Sequence, residues 1–461
     1  MFELGVNNPA LSKLYAETDF SSVDVPAACD DDLRLDVRRW RARMFVNGGE
    51  LQRAEREFES LASLDGEGRS ETVLVRARAD GFAGLSEVER YRGSFERARE
   101  YAREALERFS RIDDDVGRSD VLNALGNIKA RNDDYEGARV NYERALEIRR
   151  SVGDEAKIAS TIANLARTEQ SVGSYEPARE YARESLRRQR KIGYRWGEAL
   201  SLSILGLIEI EDGTLDEAER YTRAALEVRR EIGGQMGAAS SATNLAEIQF
   251  QRGDIESAHE QFLELKNVVD SQQYGWVNGG VYHGLADTHL DRSELDEALT
   301  CAERAASYCS NNESRLVEVL AVQAQIRLAQ EAFDDARTVA ERAHERAAAL
   351  GDEPKALAKM TLGDMYVRSG ETDDGLSLLA AATESAPTAV LEGRCRRQYA
   401  GALREVGNAT EALAEQRRAT TCFSSVEAGV RARKTALDAL ELARELDDVD
   451  AADALEARLV R

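Results

Sequence analysis

A turn at Asn132-Asp133-Asp134-Tyr135-Glu136-Gly137-Ala138 is met again forty residues on as Val172-Gly173-Ser174-Tyr175-Glu176-Pro177-Ala178. The aromatic or aliphatic position of this turn runs Phe95, Tyr135, Tyr175, Leu215, Ile255 and Leu295, and an alanine follows each three residues later, from Ala98 to Ala298. Six consecutive units thus hold one register. A fixed period of this length is the signature of stacked supersecondary units, and it constrains the fold more than any other property of the chain. The register loosens afterwards to Phe333 with Ala336, Thr372 with Gly375, Ala409 with Ala412 and Val449 with Ala452, and Leu51 with Ala54 precedes it. The reading is all-α: an α-solenoid, a right-handed superhelix of about eleven antiparallel helix pairs whose first and last members are degenerate caps. The expected layout is an N-terminal extension or cap over residues 1–32, an array of about ten repeats over 33–426, and a degenerate repeat with capping helices over 427–461.

Within each unit a second landmark precedes the turn: Leu125-Gly126, Leu165-Ala166, Leu205-Gly206, Leu245-Ala246, Leu285-Ala286 and Leu362-Gly363. It marks the first helix of the pair, helix A. Small residues at four-plus-three spacing, such as Ala138, Tyr142 and Ala145, line one face of the second, helix B. Gly or Ala in both helices lets their backbones approach, while Leu and Tyr fill the gaps between pairs. Composition agrees with helix throughout, since proline is limited to five residues and aromatics to 6%.

These motifs resemble those of tetratricopeptide-repeat (TPR) proteins from about residue 33 onward. Leu-Gly in helix A, Gly-x-Tyr in the turn and Ala, aromatic and Ala in helix B match the TPR pattern best over residues 119 to 258. The forty-residue period exceeds the common thirty-four, and the six extra residues add roughly 9 Å of helix per unit. Long units with links such as Gly153-Asp154, Gly193-Tyr194, Gly233-Gly234 and Gly351-Asp352 look like those of kinesin light chains, G-protein polarity adaptors and peptide-sensing bacterial regulators. The usual terminal proline of the repeat is missing here.

The resemblance implies a concave surface lined by helix A that takes a protein segment. Mapped onto this chain it contains Asn123, Asn127 and Arg131, then Asn164 and Arg167, then Leu200 and Ile204, then Asn244 and Glu247, then His283 and Asp287. An asparagine amide both donates and accepts, so a row of them can clamp an extended backbone whatever its side chains. The same asparagines could equally be exposed polar residues of the helix face or satisfied caps within the stack. Leu200, Ile204, Leu207 and Ile210 read either as a hydrophobic anchor point or as inter-helix core. The set of basic residues that chaperone-type TPR domains use for a terminal carboxylate is missing. The link from Gln272 to Gly280 carries Trp276 and three glycines and reads either as a binding loop or, the favoured expectation, as a bend in the array with Trp276 covering a neighbouring helix end; Tyr194 and Trp196 sit at the matching link two units earlier.

Chemistry finds little support. The four histidines, His259, His283, His289 and His344, include no HExxH or other close pair, and His283 and His289 lie six apart on different helix faces. Nucleotide-binding glycine motifs and the GxSxG elbow are missing. The five cysteines, Cys29, Cys301, Cys309, Cys395 and Cys422, lack CxxC spacing and read as small buried hydrophobes. Carboxylates are plentiful, but pairs such as Glu100 with Arg103 and Glu104 with Arg108 read as solvent-side ion pairs. No catalytic residue, metal or cofactor is expected.

A net charge of −23, from 85 acidic and 62 basic residues, disfavours nucleic acid and suits a neutral or basic protein or peptide partner. Only eight of the basic residues are lysine. Hydrated carboxylates with little lysine suit molar salt, where screening falls to about 3 Å, and so point to a salt-loving archaeon; a GC-rich genome gives the same bias. No apolar run is long enough to span a membrane and the opening residues are unlike a signal peptide, so a cytoplasmic place is expected. The chain is read as a non-catalytic adaptor holding a peptide or helix. A regulatory sensor controlling a kinase, phosphatase or transcription factor, and a self-assembling structural protein, are the alternatives.

Overall fold

The computed structural model describes residues 31–459 except 48, 67, 68, 133, 273–275, 311 and 427. Cys29 and most of the expected N-terminal cap lie outside these residues. Among them there are twenty-two α-helices and no strand. They form eleven A/B pairs: α1 (Asp31–Asn47) with α2 (Leu51–Ala62), α3 (Glu71–Arg92) with α4 (Phe95–Arg111), α5 (Asp115–Arg131) with α6 (Tyr135–Val152), and α7 (Glu155–Ser171) with α8 (Tyr175–Lys191). Next come α9 (Arg195–Asp212) with α10 (Leu215–Glu231), α11 (Gln235–Arg252) with α12 (Ile255–Gln272), and α13 (Trp276–Asp291) with α14 (Leu295–Cys309). The last four pairs are α15 (Glu313–Ala329) with α16 (Phe333–Ala347), α17 (Asp352–Arg368) with α18 (Thr372–Ser385), α19 (Ala389–Glu405) with α20 (Ala409–Ser425), and α21 (Gly429–Glu445) with α22 (Val449–Leu459).

Every B helix begins on the residue that carries the sequence register, from Leu51 and Phe95 through Leu295 to Val449. The alanine three residues in is fully buried at positions 54, 98, 138, 178, 218, 258, 298, 336 and 412. The A-to-B turns explain their glycines. Gly173 has φ +77°, its amide reaches Gln170 O at 2.9 Å, and the next amide, of Ser174, reaches Glu169 O at 2.9 Å. These bonds satisfy the last carbonyls of α7 and need a left-handed residue between them. In the mid-helix landmark glycine serves proximity instead: a Cβ on Gly126 would lie 2.5 Å from the Tyr142 ring.

The chain divides into two compact units. Unit 1 comprises the described residues up to Leu205 with Glu227–Gly237, and unit 2 comprises Gly206–Leu226 with the chain from Ala238. In both, A helices two apart along the chain also touch, as α3 does α5 and α15 does α17, while successive B helices keep further apart. The A side is therefore the inner side of the stack. In unit 1, Trp196 packs beside the Gly233-Gly234 link, a Cβ on Gly234 falling 3.2 Å from the indole.

Unit 2 returns upon itself. Ile210, Leu215, Ala218 and Ile248 share one apolar cluster with Val390, Ala419, Phe423, Val426, Ala428 and Ala432. Two sequence expectations fail in the helices. Trp276, at the start of α13, is 65% exposed, more than a ring laid over a helix end would be; Gln273, Tyr274 and Gly275 lie outside the described residues. Cys301, Cys309 and Cys395 are buried, while Cys422 is half-buried. None of the described helices is long and apolar enough to cross a membrane.

Candidate functional site

On the inner face of unit 1 the asparagines of α5 and α7 meet. Asn164 Nδ2 donates to Asn123 Oδ1 at 3.3 Å, and Asn127 Oδ1 accepts the Tyr142 hydroxyl at 2.8 Å. Asn123 Oδ1 also faces Arg149 Nη1 at 3.4 Å, and the buried Arg149 holds Asp120 at 2.9 Å and Lys157 O at 3.1 Å. The carbonyl of Asn123 is thus committed to the stack, whereas its own amide protons and the Asn164 carbonyl are left for a ligand. Arg131 and Arg167 are both exposed at the residue level; loss of water around the Arg131 guanidinium, with repulsion from Arg90 and Arg167, holds it below the usual guanidinium range. Burial pushes the Tyr142 phenol up to about 12, against the pull of Arg167 and Arg131. A patch of three guanidiniums beside free amide groups attracts carboxylates although the chain as a whole is acidic.

Of the aliphatic candidates on α9, Leu200 is 39% exposed but Ile204 is buried at 3%. Ile204 belongs to the core and cannot touch a ligand; on an A helix the face turned to the B helices and the face turned inward differ by a single residue of register.

The remaining candidates belong to unit 2. Asn244 is half-buried with no side-chain partner among the described residues, and Glu247 accepts from Gln251 Nε2 at 3.1 Å. His283 and Asp287 lie on one face of α13, Nε2 to Oδ2 3.6 Å, each with 13% of its side chain exposed. That separation is too long for a hydrogen bond. Burial dominates both groups, pushing the imidazole down to about 4 and the carboxyl up to about 7. Around them stand Asp291 of α13 itself and charges from other A helices: Glu247 of α11, Arg315 and Glu318 of α15, Arg394 of α19 and Arg431 of α21. Glu353 of α17 joins the same group, raised to about 7 by loss of water and by the Glu318 carboxylate. Arg315 is paired with Glu318 at 2.7 Å, whereas Arg394 and Arg397 have no carboxylate within ion-pair distance among the described residues. A face that mixes acids with uncommitted guanidiniums can hold a segment carrying both signs of charge.

The residues on α15, α17 and α19 escaped sequence reasoning because the period shortens after Leu295, so the groove register could not be carried past Asp287. A cation at the A-helix position of the later units, as Arg394 is, was the one available signal.

Comparisons with known proteins agree with this architecture. A family model described as the MalT-like TPR region matches residues 83–278. A Rap protein complexed with competence and sporulation factor superposes with a TM-score of 0.54 at 12% identity, covering 86% of this chain and 99% of that one. The fold is a TPR-like α-solenoid. The chain is also similar to aspartyl phosphate phosphatase F from Bacillus subtilis, with a TM-score of 0.52, 11% identity and coverage of 78% and 96%. The apo form of RapI follows with a TM-score of 0.50, 16% identity and coverage of 60% and 98%. At such identities the likeness is one of fold. Among curated proteins nothing matches the sequence.

Proposed function

We propose that this TPR-like solenoid is a non-catalytic regulatory binding protein that captures a peptide or helical segment of a partner on the inner face of its A helices. The observation that carries the proposal is the inner face of unit 2, where Glu247, Glu318 and the uncommitted guanidinium of Arg394, from three other helices, converge on His283 and Asp287 of α13. Charged groups are costly to gather where water is scarce, and a ligand with complementary charges offsets that cost. A protein of similar fold was solved in complex with competence and sporulation factor, which supports a binding role for this chain. Long-range attraction favours a neutral to basic segment, because the net charge is −23; a carboxylate on that segment would be met by Arg394 and Arg397, or in unit 1 by Arg131 and Arg167.

Selection of a displayed peptide library on the full chain, followed by calorimetry on the selected sequences, tests this. Arg394→Ala with Arg397→Ala, and separately Asn123, Asn164 and Asn244 each to Ala, should weaken binding at least tenfold in one set. Unchanged affinity in both sets would remove the inner face from consideration. A sensor reading, in which binding alters the stack, is favoured by the closure of unit 2 on itself, since a ligand entering the inner face must accommodate or open it. Scattering profiles with and without the selected peptide distinguish a sensor from a passive adaptor.

A further inference from the structure

In the repeat that begins at Tyr135, Arg139 of helix B meets Glu169 of the following A helix, Nη1 to Oε1 3.5 Å, a pairing of opposite charges. The same two register positions in the repeat that begins at Ile255 are His259 and His289. Their rings pack edge to face with centroids 4.6 Å apart. Two imidazolium ions repel at this distance, and two neutral rings lack the attraction that the ion pair supplies elsewhere. A third group converges on them. Glu294, the residue that caps α14, brings its carboxylate Oε2 to 2.6 Å from His289 Nδ1, and one ligand atom from each of His259, His289 and Glu294 lies within 4.8 Å of those of the other two.

We infer that His259, His289 and Glu294 form a binding site for a late first-row divalent cation of the zinc, nickel, cobalt or copper class. Imidazole nitrogen with one carboxylate is the donor set such ions prefer, whereas calcium and magnesium demand oxygen. The surroundings are arranged for ligation. Thr288 Oγ1 directs its proton to Gly284 O at 2.9 Å, so it accepts from His259 Nδ1 at 3.0 Å. That bond places the His259 proton on Nδ1 and leaves Nε2 with its lone pair, which is the outer-shell support a metal-bound imidazole ordinarily has. Glu294 is oriented likewise: Arg292 Nε donates to its Oε1 at 3.0 Å, leaving Oε2 on the histidine side. Arg292 is itself balanced by Glu256. Bound to one cation at zinc-like distances, the three ligand atoms would stand about 3.4 Å apart, so the rings close up through modest side-chain rotation. His259 is buried but Glu294 is 36% exposed, which leaves the cation a way in and room for water as a fourth ligand. Such an ion would fasten α12 to the turn between α13 and α14.

The test is a titration of the chelator-stripped full chain with Co2+, read by visible d–d absorption and by thermal melting. The site predicts saturable uptake of one equivalent, displacement by Zn2+ and a rise in melting temperature. His259→Gln and His289→Gln should abolish uptake, Glu294→Gln at the exposed rim should weaken it, Thr288→Val should weaken it roughly 10–100-fold, and His344→Gln should leave it unchanged. Circular dichroism of each apo variant separates lost ligation from lost folding, and Glu294→Gln removes a ligand without disturbing a buried side chain. Lack of saturable uptake by the wild-type chain, or uptake that survives in both histidine variants, would overturn the assignment.

Discussion

Arg431, on α21, donates from Nη2 to the carbonyl of Phe250 at 2.7 Å and from Nε to that of Gln251 at 3.0 Å, at the C-terminal end of α11. Its guanidinium stands 4.8 Å from the centre of the Phe250 ring. One side chain thus satisfies two terminal carbonyls of a helix, opposes the negative end of that helix and stacks on an aromatic face, 181 residues away in the chain. Arg431→Ala should lower the stability of unit 2 by about 2–4 kcal/mol. Urea denaturation measures the loss, and hydrogen exchange should locate faster opening at the end of α11.

Asp287 and His283 set opposite pH dependences on the inner face of unit 2. The carboxyl is raised from 3.8 to about 7, so the folded chain holds an extra proton between those values, and stability from this group is full below 3.8 and lost as pH rises through about 7. The imidazole is lowered from 6.5 to about 4, so its contribution is present above 6.5 and lost as pH falls through about 4. The two nearly cancel between about 4 and 6.5 and the Asp287 effect alone remains just above that range. Glu353, raised from 4.5 to about 7, adds to the same loss, so thermal melting should fall as pH rises from 6 to about 7 and level off above it, and Asp287→Asn with Glu353→Gln should flatten the fall.

Two glycines occupy their positions for different reasons and should respond differently to alanine. A Cβ on Gly126 meets the Tyr142 ring at 2.5 Å, and the ring is anchored by its hydroxyl on Asn127, so Gly126→Ala overpacks the α5–α6 contact by about 1–3 kcal/mol. Gly153 has open space around it but φ +82°, so Gly153→Ala costs only the left-handed backbone, about 1 kcal/mol. Chemical denaturation of the two variants should rank them in that order.

Arg149 ties α5, α6 and α7 together through Asp120, Asn123 and the Lys157 carbonyl. Arg149→Met should cost about 2–3 kcal/mol. The loss stays below that of a buried pair left half empty, because Lys157 Nζ still holds Asp120 at 2.8 Å. It should also release the Asn123 side chain, visible as a shift and broadening of its amide resonances.

Much of the fold was legible because each B helix starts on the residue that carries the period and each buried alanine follows at a constant offset. That relation is local, set within one helix turn, and so survives in one dimension. The inner face was legible only where the register held. Asn123 and Asn164 do meet, being forty-one residues apart at neighbouring positions of successive A helices. Ile204 was misplaced because core and groove faces of an A helix both read as apolar in the middle of the array. The approach of His259 to His289 spans thirty residues, and nothing in either local sequence marks it; only the comparison with Arg139 and Glu169 gives it meaning. The return of α21 onto α11 depends on twist accumulated over ten helices, a quantity no single repeat displays.

The apolar cluster that joins Ile210, Leu215 and Ile248 to Val390, Phe423 and Val426 has a consequence for biosynthesis. Chains are made from the N-terminus at roughly 5–20 residues per second, so about 10–35 s separate the emergence of Ile248 from that of Phe423. During that interval the first half of the cluster lacks the second and faces water or a chaperone as an uncovered greasy strip. A nascent solenoid of independent repeats would have no such waiting period; this one must be shielded, or must fold its earlier pairs provisionally, until α20 leaves the ribosome.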